Sequence, residues 1–112
     1  MIRVIYRWSV IPGQADAFAA AWWEATSYIQ QAWPEARGTI LLQSQLEANV
    51  YLGVARWTSL EAWQAHRQGP SVVPATVSAR MVAATNGPAS HEVCDEVREW
   101  VSTRAGDTHA PS

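Results

Sequence analysis

Tyr51-Leu52-Gly53-Val54-Ala55-Arg56-Trp57-Thr58-Ser59-Leu60-Glu61-Ala62-Trp63-Gln64-Ala65-His66 decides the fold, because it reads as a strand running straight into a helix. Tyr51 to Trp57 is short, apolar and rich in strand-favouring residues. Thr58 stands three residues before Glu61, the spacing of a capping box, so a helix is expected to start there. Leu60, Trp63, His66 and Arg67 follow at helical spacing and are expected to share one face. Gly69-Pro70 stops the helix. The junction therefore gathers Trp57, Trp63 and His66. A flat aromatic wall with a titratable imidazole beside it suits a planar organic molecule.

Just upstream, Thr39 to Leu46 reads as a strand, and Glu47-Ala48-Asn49 suits a tight turn into the strand Val50 to Trp57. Before these, Gln14 to Trp33 reads as a helix. Phe18, Trp22, Ala25, Ile29 and Ala32 form a stripe at spacings of three and four, and Pro34 ends it. Trp23 lies about 100° off that stripe by helix geometry. Pro12-Gly13 is a turn, and Ile2 to Ile11 alternates. Ile2, Val4, Tyr6, Trp8 and Val10 face one way; Arg3, Ile5, Arg7, Ser9 and Ile11 face the other. Neither face is fully polar, which places this strand in a sheet covered on both sides, by helices on one and a partner subunit on the other.

Downstream, Ser71 to Thr85 carries Pro74 and many alanines, and a short irregular helix is expected. Asn86-Gly87-Pro88 is a turn. Glu92 to Val101 fits a strand, although Val93, Val97 and Val101 also stand at helical spacing. Ser102 to Ser112 is polar and reads as a loose tail, leaving one domain over residues 1–101.

Composition sets the outer limits. Apolar residues make up 48% of the 112, enough for a packed core. The net charge of -2, with no block of like charge, gives no reason to expect nucleic-acid binding. No apolar run approaches the ~20 residues of a membrane span, and Arg3 and Arg7 interrupt any signal-peptide pattern. A cytoplasmic location is expected. Cys94 is the single cysteine, which excludes an intramolecular disulfide and a cysteine metal cluster; beside Asp95 and Glu96 it would be a poor thiolate. Seven Trp is the unusual count, since indoles concentrate in aromatic pockets and interfaces.

The segments V-A-R-W-T-S-L-E-A-W (54–63) and Y-R-W-S-V-I-P-G-Q-A-D-A-F (6–18) resemble the two halves of an antibiotic-biosynthesis-monooxygenase (ABM) domain. The resemblance covers roughly residues 1 to 101. It implies an α+β, ferredoxin-like β-α-β-β-α-β fold, with Glu92 to Val101 as the closing strand. It also implies a homodimer packed back to back through its sheets, a dimeric α/β barrel. The implied activity is a cofactor-independent monooxygenase acting on an aromatic or polyketide-like small molecule, with no metal, haem or flavin. The alternatives are a polyketide cyclase or isomerase, and a non-catalytic ligand-binding module.

The substrate of such a domain lies between the sheet and the helices, which implies a pocket lined by Tyr6, Trp8, Trp22, Trp57, Trp63 and His66. His66 is the expected base, since its unperturbed pKa of about 6.5 suits proton transfer at neutral pH. Tyr6 or Arg80 would be the oxyanion partner, and Trp57 and Trp63 the stacking walls. The plainer alternative is that the aromatics are core and His66 is a hydrogen-bonded core histidine. No second His or carboxylate stands at i+3 or i+4 from His66, so no metal site is expected there. The haem-degrading branch of the superfamily would place an Asn, a Trp and a His at Tyr6, His66 and about Thr76, and none matches. The quinone-forming branch would place an Asn at Gly53, a Trp at Trp57 and a Tyr at Trp63, with a later Arg for which Arg80 is the nearby candidate. Among the aromatic and amide positions only Trp57 matches.

Overall fold

Alternation along β1 (Ile2–Ser9) divides the molecule into two sides in the computed structural model, which describes residues 1–104. Ile2 and Val4 are buried, and Tyr6 and Trp8 lie half-buried on the same side. β1 is central in an antiparallel sheet of order β2-β3-β1-β4, with β2 spanning Ala36–Gln43, β3 Val50–Trp57 and β4 Ser90–Asp95. Three helices pack on one face: α1 (Ala15–Ala32), α2 (Leu60–Gln68) and α3 (Ala75–Ala83). The fold is α+β and ferredoxin-like, with one helix more than the expected order.

Paired residues share a face, so the register states what each side carries. On the helix side one row reads Leu41, Gly53, Tyr6, His91, and another Gln43, Tyr51, Trp8. On the other side the rows are Ile40, Val54, Ile5, Glu92, then Leu42, Leu52, Arg7, Ser90, then Arg56, Arg3, Cys94. That second face is apolar at its centre and carries charge at its ends. Glu96 accepts from Nε of both Arg3 and Arg56 at 2.7 Å, and Arg7 pairs with Glu47.

Each helix forms for a local reason. α1 is rich in alanine and buries Phe18, Ala21, Trp22 and Ala25, a stripe at the helical period. Ala32, expected on that stripe, is exposed at the helix end. α2 starts one residue later than expected. Ser59, in extended conformation, accepts from the Ala62 N–H at 3.1 Å, while the Thr58 N–H donates to the Glu35 carbonyl at 3.0 Å. The cap is therefore Ser59, and Thr58 belongs to the link between β3 and the β2 entry. α3 is a regular helix where an irregular one was expected, because Pro74 sits at its N-cap, where a missing N–H costs nothing. Val77 and Ala84 are buried along it, and Arg80 pairs with Glu24 of α1.

Two strands differ from expectation in extent. β2 starts at Ala36 and ends at Gln43, shifted toward the N-terminus of the expected Thr39 to Leu46. A bulge between Ala36 and Thr39, with Gly38 at φ 98°, carries the chain from the α1 end into the ladder. The turn after it ends on Asn49, at φ 63°. β4 stops at Asp95, so Val97 and Val101 of the expected strand lie beyond it, exposed and outside regular structure. Asp95 pairs with Ile2, the first residue of β1, so the ladder runs out there; the Glu96 N–H still donates to the Met1 carbonyl at 3.0 Å, and its carboxylate binds Arg3 and Arg56. Of the expected tail, residues 105–112, His109 among them, lie outside the described residues. No helix among the described residues is long and apolar enough to cross a membrane.

Candidate active site

The core on the helix side falls into two clusters. One joins Ile2, Val4, Ala36, Trp57 and Trp63; the other joins Val10, Phe18, Trp22, Tyr51 and Ala84. Between them lies a cavity of about 140 Å³. From the sheet, Tyr6 and Trp8 of β1, Thr39 of β2, and Ala55 and Trp57 of β3 line it. From the helices come Trp22, Ala25, Thr26, Ile29 and Gln30 of α1, His66 of α2 and Met81 of α3.

The aromatic walls are held by neighbours. Tyr6 and Trp8, two apart on one face of β1, stack with ring centroids 5.6 Å apart. Trp8 meets Phe18 edge-on at 5.3 Å. Its ring lies over the backbone of β3, which only a glycine permits there: a Cβ at Gly53 would stand 2.8 Å from Trp8 Cη2 and Cζ3. Trp57 is 3% exposed and lies parallel to His66, with centroids 5.2 Å apart and 24° between planes. Trp33 completes this corner, edge-on to both Trp57 and His66.

His66 is the polar group this wall holds. Its Nδ1 is buried and has no hydrogen-bond partner among the described residues. Burial first, and the neighbouring Arg67 second, push its pKa below the ordinary 6.5, so the ring is neutral at neutral pH. His66 lines the cavity as a neutral imidazole, a group that can exchange a proton near neutral pH. Tyr6 is the second polar group. Trp63 Nε1 donates to its hydroxyl oxygen at 3.0 Å. An indole N–H only donates, so the phenol accepts there and keeps its own proton to donate elsewhere.

Five of the residues singled out from sequence thus line one cavity: Tyr6, Trp8, Trp22, Trp57 and His66. Two stand apart. Trp63 is 7% exposed, buried beneath the cavity wall, and reaches the site only through its bond to Tyr6. It turns away from His66 toward Tyr6 and His91, while the Arg67 guanidinium covers its ring at 5.4 Å. Arg80 sits at the surface in its ion pair with Glu24, outside the cavity lining. Sequence reasoning passed over Trp33, Thr26, Gln30 and Met81. Thr26 and Gln30 follow Trp22 at i+4 and i+8, a signal present in the chain. Met81 had none, because the regularity of α3 was not legible around Pro74.

The family model for antibiotic biosynthesis monooxygenase matches residues 1–75. The chain belongs to this family. Among solved structures, a Caulobacter crescentus CB15 protein bearing the family name is 23% identical with a TM-score of 0.73, over 87% of this chain and 90% of that one. SnoaB of Streptomyces nogalater, a cofactor-independent oxygenase, is 16% identical with a TM-score of 0.71, over 88% and 94%. A Chloroflexus aurantiacus J-10-fl protein of the same family name is 21% identical with a TM-score of 0.67, over 88% and 95%. At these identities the likeness is one of fold. No curated protein matches the chain. In this ABM-family chain the cavity between sheet and helices has Trp8 folded over Gly53, with Trp63 bonded to Tyr6 behind its wall.

Proposed function

We propose that this ABM-family protein is a cofactor-independent monooxygenase whose substrate is a planar aromatic or polyketide-like molecule held in the cavity between Trp8, Trp22 and Trp57. The observation that carries this reading is the neutral His66, stacked on Trp57 in the cavity lining. His66 takes the proton of a substrate phenol. The resulting anion is delocalised onto a ring carbon, which gives an electron pair to dioxygen and forms the C–O bond. The imidazolium returns the proton to the peroxide. Loss of water, made from the distal oxygen, that proton and the hydrogen on the oxygenated carbon, leaves a quinone. Tyr6 donates to the substrate oxygen that becomes negative, because Trp63 occupies the acceptor side of its hydroxyl. Trp63 thus serves as a positioning residue, and Trp57 as a stacking wall.

The active form in this reading is a homodimer. The open sheet face supports it: Ile40 is 54% exposed and Leu42 41%, beside Ile5, Leu52 and Val54. A second copy packed there removes that patch from water.

One observation favours an oxygen-free relative of the same chemistry. Arg80, the expected cation, stands outside the cavity, and no charged side chain other than a titrating His66 lines it among the described residues. A cyclase or isomerase would use the same His66 and Tyr6 to move a proton without forming a peroxide. Turnover of a dihydroxynaphthalene probe in air and under argon separates the two. Product formation in air alone supports the monooxygenase, and equal conversion under argon overturns it in favour of the isomerase.

A further inference from the structure

The cavity opens on a second cleft that the proposed reaction does not use. Trp22, Thr26, Gln30 and Thr39 line both, so the two are continuous between α1 and the bulge of β2. The outer cleft adds Trp23, Ser27, Gln31 and Gly38 and holds about 350 Å³. The inner cavity alone is smaller than the roughly 300–1,000 Å³ usual for small-molecule sites. Trp23 is 64% exposed, an indole face presented to the cleft's solvent side instead of to the core. Around it stand three hydroxyls and two primary amides, and no charged side chain lines the cleft among the described residues. Gln30 Oε1 accepts from the Gly38 N–H at 3.1 Å, which fixes its carbonyl and leaves its NH₂ to donate. Ser27 Oγ donates to the Trp23 carbonyl, which leaves its oxygen as an acceptor. Gly38 has no atom within 4 Å of where a Cβ would be, so the cleft is open on the β2 side.

We propose that this cleft is a second subsite holding a neutral, polyhydroxylated substituent, a glycosyl group, carried by the planar molecule in the inner cavity. Sugar C–H bonds pack on an exposed indole face, and sugar hydroxyls both donate and accept, as amides and hydroxyls require. An anionic substituent finds no cation there, and an alkyl chain leaves the amides without partners. The inference rests on the inner cavity being the site of the planar group, as proposed above.

The test is binding of three probes, 1-naphthol, 1-naphthyl β-D-glucopyranoside and 1-naphthyl hexyl ether, followed by calorimetry on the full-length protein. The glucoside is expected to bind about tenfold tighter than naphthol, the scale of one good stacking contact with added hydrogen bonds. In Trp23→Ala that ratio falls to about one, and in Gln31→Ala it falls part of the way. Both side chains are exposed, and a melting curve verifies that each variant is folded. Equal affinity of naphthol and glucoside, or a hexyl ether that gains as much as the glucoside, overturns the subsite while leaving the inner cavity standing. Failure of naphthol itself to bind overturns the inner site and the subsite together.

Discussion

His66 carries two consequences of its burial, one in stability and one in chemistry. Its pKa is lowered in the native state by burial and then by Arg67, so between that value and the ordinary 6.5 the unfolded chain binds more protons. Stability is therefore full above about pH 6.5 and is lost as pH falls through the lowered value. We expect His66→Gln to flatten this slope in denaturation curves taken between about pH 7.5 and 5.5, above the main titration range of carboxylates. An unchanged slope would show that His66 is not the group responsible. Gly53 is the other residue on which the site turns. Gly53→Ala sets a methyl 2.8 Å from two ring atoms of Trp8, and the indole must shift into the cavity. The expected cost is about 1–3 kcal/mol, the range for overpacking a filled core, measured by chemical denaturation. Planar ligands should bind more weakly in the same variant. A wild-type midpoint would mean that Trp8 has room to move aside.

At the scale of elements, the entry to α2 places His66. The helix is capped by the hydroxyl of Ser59, so Ser59→Ala should cost about 0.5–2 kcal/mol, whereas Thr58→Ala removes no cap. Denaturation of the two variants side by side checks the assignment, and the reverse order of costs would restore Thr58. The capping residue was misplaced in sequence because Thr58 and Ser59 carry equivalent hydroxyls, and Glu61 fits the capping-box spacing of only one of them. The β3–α2 junction itself was legible: the period changes from two to about three and a half at Trp57. So were the α1 stripe and the alternation of β1, which together put Tyr6, Trp8, Trp22, Trp57 and His66 on one side of the sheet. Less was legible where tertiary contacts override local pattern. Trp63 and His66 share a helical face by count, yet the bond to Tyr6 and the stack on Trp57 send them to different neighbours. α3 was obscured by Pro74, and the end of β4 is set by its register, since Asp95 pairs with Ile2 at the start of β1, which no periodicity reports.

At the scale of the whole molecule, the sheet is covered by helices on one face and open on the other. Ionic pairs at the end of the open face hold Glu96 well below the usual carboxylate range, at about 2, through its hydrogen bonds to Arg56 and Arg3. That contribution is present above the ordinary carboxylate pKa and is lost as pH falls toward about 2. Apolar Ile5, Ile40, Leu42, Leu52 and Val54 lie beside this cluster, and the proposed homodimer buries them. Sedimentation should give twice the 12.3 kDa chain mass at micromolar concentration, and Ile40→Glu with Leu42→Glu should halve it. A monomer in the wild type would remove the partner from the account. The proposed oxygenase chemistry is tested most directly by dioxygen uptake. With a dihydroxynaphthalene probe, wild-type protein should consume one O₂ per quinone formed, above the uncatalysed rate. His66→Ala, folded by its melting curve, should show kcat reduced about 10²–10⁴-fold, the scale for loss of a general base. Undiminished uptake by folded His66→Ala, or no uptake by the wild type, would contradict the account.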